Sequence, residues 1–569
     1  MDWPDVNSKN CSKHNRTEFQ RVARRGPCGR PLCPIAERER KTHMRTVIFG
    51  VDGLTFRIIH PLIERGELPN FKKLQDEGCE AILESKYPPL TPPAWTSLST
   101  GLKPARHGVY DYWIYADEAK KGVTRSVHVQ TQRRAEKAIW NILSEYGKQV
   151  LVINVPATYP PETVNGIMVS GYLTPSTEVE FTYPASFKEE LFQVAPHYQI
   201  VPGDEYENLR LKLQVGDMVD VLCRMTEQRT KLIIHMLTKK PWDFCYLAYV
   251  CCDRLQHQLW EEATALDPRT NRYYKMLDDA LGQIMAMLSP DDNLFVISDH
   301  GFRGHHSYFD INEYLLSKGL LTLESKVQAA RKQAGRASML KHIANRLGLR
   351  PLARKLKRSL KAAGIWENAG IDAARPLLED IDWDKTLAYV PSFSGFQGGY
   401  ADVFLSPDMT LEQIQELCDD LKRQRDPKDG QALIDAIYTT EVFGSGPYAP
   451  KEPHLLLLAQ DGITFRMEMG NKRIWEDIGK TFGSHHKNGV LYAYGKNFKH
   501  GFHAPNAEVF DLVPTVLTSM GLPFPYSFDG RILDELFVEG KQAQQTAPEA
   551  ANGSEGGLAR RKLKKLLEA

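Results

Sequence analysis

Three apolar, β-branched runs in this chain stop on residues of the kinds that bind metal ions. Leu294-Phe295-Val296-Ile297 leads into Ser298-Asp299-His300-Gly301, Thr46-Val47-Ile48-Phe49-Gly50-Val51 into Asp52-Gly53, and the run from Phe244 to Cys252 into Asp253. A buried strand ending in a carboxylate or imidazole delivers it to the C-terminal edge of a sheet, where open α/β folds bind ligands. Singly, each ending also suits a polar turn after a core strand. Three in one chain predict a shared site. Asp253 and His257 are spaced i, i+4, so a helix beginning there projects both from one face and lets them hold one ion. His485 and His486 lie between Gly483 and Gly489, which reads as a loop feeding a further strand.

A nucleophile is offered by Thr91-Pro92-Pro93-Ala94-Trp95-Thr96-Ser97. Prolines are excluded from helix interiors but suit a first turn, so a helix beginning just after Thr91 sets its hydroxyl at a helix N-terminus. That end carries partial positive charge and favours an alkoxide and an incoming phosphoryl oxygen. Thr96 and Ser97 are the alternative hydroxyls.

The elements that must position these groups are strands alternating with helices. Strands are predicted at 46–53, 149–156, 166–171, 243–252 and 294–301, with further strands near 386–390, 401–405, 454–459 and 490–495. Helical patterns fill much of 185–238 and 271–288. This predicts an α/β fold, a doubly wound, mostly parallel sheet flanked by helices. Residues 307–385 read as an inserted helical cap, and 326–361 hold many Lys and Arg but no Asp or Glu. That face suits solvent or a weak contact with an anionic surface. Residues 1–43 read as a disordered basic leader, 44–538 as the catalytic domain and 539–569 as a flexible basic tail.

The 569 residues carry 72 Lys+Arg against 71 Asp+Glu, a net charge of +1, so no specific nucleic-acid binding is expected. Nine cysteines, an odd number without a disulfide rhythm, fit a reducing cytoplasm. Cys28 and Cys33 lack a second Cys or His pair for a metal knuckle. No apolar run reaches the roughly 20 residues needed to cross a bilayer, and the polar, basic N-terminus is unlike a signal peptide.

Six separated motifs together resemble the alkaline phosphatase superfamily, and within it the type I phosphodiesterase/nucleotide pyrophosphatase group and its phosphohydrolase/phosphomutase relatives. They are Thr91-Pro-Pro-Ala-Trp-Thr-Ser-Leu-Ser-Thr-Gly, His107-Gly108, Asp253-Arg-Leu-Gln-His257, Ser298-Asp299-His300-Gly301, Gly483-Ser484-His485 and Val509-Phe510-Asp511-Leu512-Val513-Pro514-Thr515. The likeness spans about 44–536. It implies that Asp52, Asp299 and His300 hold one metal ion, that Asp253, His257 and His485 hold another, and that Thr91 is the nucleophile. Asp511-Pro514-Thr515 resembles a structural motif. The family's usual Phe-Pro-Asn after the nucleophile is absent: Pro92-Pro93-Ala94 stands there instead. Backbone N–H groups, the metals, or a basic residue such as Lys103 or Arg303 must then stabilise the phosphoryl oxygens.

Three carboxylates, three neutral imidazoles and two divalent ions leave the site near +1 by formal charge, which suits a monoanionic diester. Two such ions about 4 Å apart can ionise a hydroxyl and stabilise both attacking and leaving oxygens. Mixed Asp and His ligation favours Zn²⁺ or Mn²⁺ over Mg²⁺. The expected activity is hydrolysis of a small phosphate ester, nucleotide-like in the first reading, through a phosphothreonine. A phosphomutase or phosphomonoesterase of the same superfamily is the alternative, and a catalytically silent metal-binding protein is the alternative from another class.

Overall fold

The site strands are apolar on both faces, and period-two alternation sends neighbouring side chains to opposite sides of a sheet. In the computed structural model, Val47, Phe49, Val51, Cys245, Leu247 and Tyr249 enter one core, while Ile48, Phe244, Tyr246 and Ala248 enter another. Both faces must therefore be covered by helices. Val215–Lys239, Cys251–Thr264 and Pro268–Met285 cover the first. Thr91–Thr100, Ile139–Glu145 and Leu512–Ser519 cover the second. The structure describes residues 44–85, 89–114, 127–128, 134–212, 214–328, 380–390, 399–449, 454–467, 469 and 473–538.

The main sheet runs in the order Phe502–His503, Cys79–Glu84, Asn488–Tyr494, Asn293–Ile297, Thr46–Val51, Phe244–Tyr249, Val150–Ile153, Gly166–Val169, Thr182–Tyr183. The five strands from Asn293–Ile297 to Gly166–Val169 are parallel, and Asn488–Tyr494 is antiparallel to both its neighbours. This is the expected α/β architecture, mostly parallel at its centre. Val51 pairs with Tyr249 and Gly50 with Ile297, so three adjacent strands end side by side at their C-terminal edge. Asp52 and Asp299 follow within two residues of their strands, and Asp253 lies in the first turn of the helix after Tyr249.

A second lobe grows out of the strand Gly301–Asp310. It pairs antiparallel with Trp475–His486 and parallel with Gly462–Arg466. A four-stranded sheet, in the order Ala388–Tyr389, Tyr400–Leu405, His454–Ala459, Ile434–Thr439, completes it. Phe309, Leu315, Leu417, Leu457 and Phe465 share its core with the helices Ile311–Ser317 and Leu411–Arg423. Of the expected insertion 307–385, only 307–328 and 380–385 are described, and they hold the end of a strand, the helix Ile311–Ser317 and helical residues at 325–328. The rest of the expected helical cap lies outside the described residues. The strand Gly301–Asp310 that leads into it alternates deeply and partly buried residues, a period-two signal that the polar residues among them obscure in sequence. Most of the basic stretch 326–361, the leader 1–43 with Cys28 and Cys33, and the tail 539–569 lie outside the described residues.

The expected loop at Gly483–His486 is a correction: these residues end the strand Trp475–His486, with His485 opposite Phe302. Glycines interrupt the apolar pattern there because backbones approach closely; a Cβ on Gly483 would stand 2.1 Å from Gln256 O. Asp511 and Thr515 tie the C-terminal helix to the chain: the Asp511 carboxylate accepts from the Glu508 and Arg531 amides, and Thr515 Oγ1 from Leu533 N.

Candidate active site

Asp52 is turned into position by Gly53, whose φ of +73° an L side chain rarely adopts. The Gly53 amide donates to Asp299 Oδ1 at 3.1 Å, joining two strand ends. Gln256 Nε2 donates to Gly53 O at 2.7 Å, which fastens the helix Cys251–Thr264 to the same turn. That helix projects Asp253 and His257 together, as the i, i+4 spacing predicts: His257 Nε2 lies 3.2 Å from Asp253 Oδ1. His485, carried in by the second lobe, places Nε2 3.0 Å from the same oxygen. Its ring stacks on His300 at a centroid distance of 3.6 Å. His300 Nε2 in turn lies 3.2 Å from Asp299 Oδ2 and 3.5 Å from Asp52 Oδ1.

All six residues singled out as metal ligands therefore meet. Asp52, Asp299 and His300 form one compact group, as expected. Asp253 and His485 form a second, with His300 as its third member where His257 was expected. His257 adjoins that group through Asp253 and through His485 Nε2 at 3.0 Å.

The donors around these side chains show what the group lacks. His257, His300 and His485 turn Nδ1 to the carbonyls of Gly483, Gly301 and Pro89, at 3.1, 3.2 and 2.8 Å. A carbonyl only accepts, so each Nδ1 carries the proton and each Nε2 presents a lone pair inward. Asp52 Oδ1, Asp299 Oδ2 and His300 Nε2 are buried without a hydrogen-bond partner. Burial, then the nearby Asp299 and Asp253 carboxylates, push the Asp52 carboxyl well above its ordinary range. Burial likewise raises Asp299 and depresses His300. Acceptors that converge without a donor, two of them on carboxyls that burial and neighbouring carboxylates keep from ionising, fit divalent cations, which supply the missing positive charge.

Thr91 opens the helix Thr91–Thr100 and is buried, two residues after the Pro89 carbonyl that orients His485. The helix is seated on the sheet at Gly50, where a Cβ would stand 2.5 Å from Trp95 Cη2. Tyr112 Oη donates to Thr91 Oγ1 at 3.1 Å. Burial, then Tyr172 and Asp253 beside it, push the Tyr112 phenol well above its ordinary value, so it remains a donor. The alternative hydroxyls are engaged elsewhere. Thr96 Oγ1 donates to Pro92 O at 2.7 Å. His107 Nδ1 accepts from Val109 N, so its Nε2–H donates to Ser97 Oγ at 3.0 Å and is no base for it.

The groups expected to replace the absent asparagine are corrected here. Pro92 and Pro93 have no N–H, and Ala94 N is bonded to Leu90 O. Buried Arg303 spends its guanidinium on the carbonyls of Ala459, Gly399 and Ile463. Lys103 lies over the Phe510 ring beyond the far end of the helix. Sequence reading passed over Tyr112, Tyr172 and Arg254. Only Arg254 left a signal, a cation written next to a ligand in Asp253-Arg254-Leu255-Gln256-His257.

A doubly wound sheet carrying acidic and imidazole groups beside a helix-borne threonine defines an alkaline phosphatase-like metallohydrolase. The chain belongs to the type I phosphodiesterase / nucleotide pyrophosphatase family, whose model matches residues 46–365, and it is a metal-dependent phosphohydrolase. No curated protein matches it. Its fold resembles that of phosphonoacetate hydrolase from Sinorhizobium meliloti bound to phosphonoformate, at 14% identity, 84% of this chain, 96% of that one and a TM-score of 0.51. Human ectonucleotide pyrophosphatase / phosphodiesterase 5 is similar at 13% identity over 86% of this chain and 97% of that one, with a TM-score of 0.48. Among the described residues no helix is long and apolar enough to cross a membrane.

Proposed function

We propose that the domain 44–538 hydrolyses small phosphate esters, of the phosphodiesterase or nucleotide pyrophosphatase type, through a phosphothreonine on Thr91. The observation that carries this reading is the convergence of Asp52 Oδ1, Asp299 Oδ2 and His300 Nε2, buried without a hydrogen-bond partner, with the inward-facing Nε2 of His257 and His485, beside a threonine whose oxygen already accepts a hydrogen bond. Asp52, Asp299 and His300 would hold one divalent ion; Asp253, His257 and His485 would hold the other, with His300 between the groups. Mixed nitrogen and oxygen donors favour Zn²⁺ or Mn²⁺. When bound, the ions supply the positive charge that ionises a hydroxyl and neutralises phosphoryl oxygens.

The protein's own residues do the rest. Because the Tyr112 proton points at Thr91 Oγ1, it strengthens its bond as that oxygen gains negative charge. Thr91 Oγ attacks phosphorus while its proton passes to solvent water, and the bond to the leaving oxygen breaks, that oxygen taking a proton from solvent water and departing as the alcohol. Water then breaks the Oγ–P bond and regenerates the threonine. The buried, unpaired thiols of Cys79, Cys223, Cys245, Cys251, Cys252 and Cys418 support a reducing, cytoplasmic setting.

The test strips the protein of metal, restores Zn²⁺, Mn²⁺ or Mg²⁺, and compares bis-p-nitrophenyl phosphate with p-nitrophenyl phosphate on wild type and Thr91→Ala. Turnover should need metal and Thr91. Turnover that survives both chelation and Thr91→Ala overturns the mechanism.

A further inference from the structure

The site as built from its motifs lacks a protein group to hold phosphoryl oxygens, and the structure offers one. Arg254 follows Asp253 at the start of the helix Cys251–Thr264. Its guanidinium lies 5.1 Å over the Tyr172 ring; Tyr172 meets the Tyr112 ring edge-on at 6.1 Å; Tyr112 Oη bonds Thr91 Oγ1 at 3.1 Å. Thr91, Tyr112, Tyr172, Arg254 and Asp253 are thus joined in one chain of contacts that runs from the nucleophile to a metal-ligand candidate. Tyr206 Oη fixes the Arg254 backbone by donating to its carbonyl at 2.8 Å.

The Arg254 charge is only partly offset where it stands, by a long ion pair with Asp253 and a side-chain hydrogen bond to Tyr172. Its nearest carboxylate oxygen among the described residues, Asp253 Oδ2, is 3.9 Å away, beyond hydrogen-bond range, and the other Asp253 oxygen faces His257 and His485. A planar fork of five donors, held by Tyr172 and Asp253 through part of that fork and with 27% of its side chain open to solvent, suits two oxygens of one tetrahedral anion. With Pro92, Pro93, Ala94, Arg303 and Lys103 spent elsewhere, it is the one cation among the described residues found in this chain of contacts.

We propose that Arg254 is a phosphoryl clamp that takes two non-bridging oxygens of the substrate, and that it extends the site from monoanionic diesters to dianionic phosphoryl groups, such as a phosphate monoester or a terminal phosphate. This rests on the phosphoryl-ester reading above. With Thr91 ionised, the formal charge of ligands, ions and nucleophile is near zero, and the guanidinium raises it to near +1, which lowers the penalty for the second charge of a dianion. Tyr112 and Tyr172 hold the clamp and the nucleophile in one arrangement.

The test uses full-length, metal-loaded wild type, Arg254→Met and Arg254→Lys. Inorganic phosphate binding is followed by calorimetry, kcat/KM is measured on p-nitrophenyl phosphate and bis-p-nitrophenyl phosphate, and bound metal is counted. Arg254→Met should weaken phosphate binding at least about tenfold and lower kcat/KM on the monoester about tenfold more than on the diester, at unchanged metal content. Arg254→Lys, which keeps the charge without the fork, should recover part of the monoester rate. Unchanged phosphate affinity in Arg254→Met, or equal losses on both esters, overturns the clamp. A wild type that turns over neither ester sinks the hydrolase reading instead, while phosphate calorimetry still reads the clamp. Should Arg254→Met not fold, Arg254→Gln carries the same comparison.

Discussion

His257 and His485 point their Nε2 nitrogens at each other across 3.0 Å, and both nitrogens also face Asp253 Oδ1. With each Nδ1–H given to a backbone carbonyl, the contact is between acceptors, so it is favourable only around a cation. Chelation should therefore lower the melting temperature, and Zn²⁺ or Mn²⁺ should restore it. An ion at a hundred times its Kd contributes about 2.7 kcal/mol. His485→Ala should lose bound metal by elemental analysis. A melting temperature indifferent to chelator and metal alike would refute the fit.

Thr91→Ala removes the oxygen that Tyr112 holds and leaves the ligand set intact. Turnover should fall on the order of 10³-fold or more with metal content unchanged. Mass spectrometry of quenched wild type should find a phosphoryl group on Thr91. Phosphorylation at Thr96 or Ser97 would contradict the hydrogen bonds that occupy those hydroxyls.

Gly50→Ala tests how the nucleophile helix is seated. The new methyl would lie 2.5 Å from Trp95 Cη2 and 2.9 Å from Leu247 O, and the backbone oxygen cannot give way. Overpacking of this kind costs about 1–3 kcal/mol, read as a lower urea midpoint. Because Trp95 sits four residues after Thr91, kcat should fall as well. An unchanged midpoint would show that the helix is not fixed at this point.

His107 provides a pH dependence away from the metal ligands. Burial, then Arg134, depress its imidazole to about 3, and both ring nitrogens are hydrogen-bonded as the neutral form requires. A histidine neutral in the fold and ordinary when unfolded contributes stability that is whole above about pH 6.5 and is lost as pH falls toward 3. By pH 4 the loss should be on the order of 3 kcal/mol. Urea titrations across pH should show a shallower slope in His107→Gln, and identical slopes would exclude His107 as the source.

The strand endings Asp52, Asp253 and Asp299-His300, the i, i+4 pair and the helix opened by Thr91 were legible because each is local. Apolar runs and proline placement write them over a few residues. Tyr112 and Tyr172 were not, since no spacing marks a tyrosine that reaches a site through the fold. Arg303 looked available in sequence, but both of its terminal nitrogens are taken by carbonyls of the second lobe.

The sequence by itself determined the alternation of strands and helices and the chemical types that close each site strand, because backbone preference and hydrophobic period act over neighbours. Only the tertiary structure decided that His300 lies between two carboxylate groups, that His485 arrives on a strand rather than a loop, and that Arg254 is linked to Thr91 through Tyr172 and Tyr112. Those facts depend on which distant segments pair and which carbonyl each donor reaches, and no local pattern in the chain encodes them.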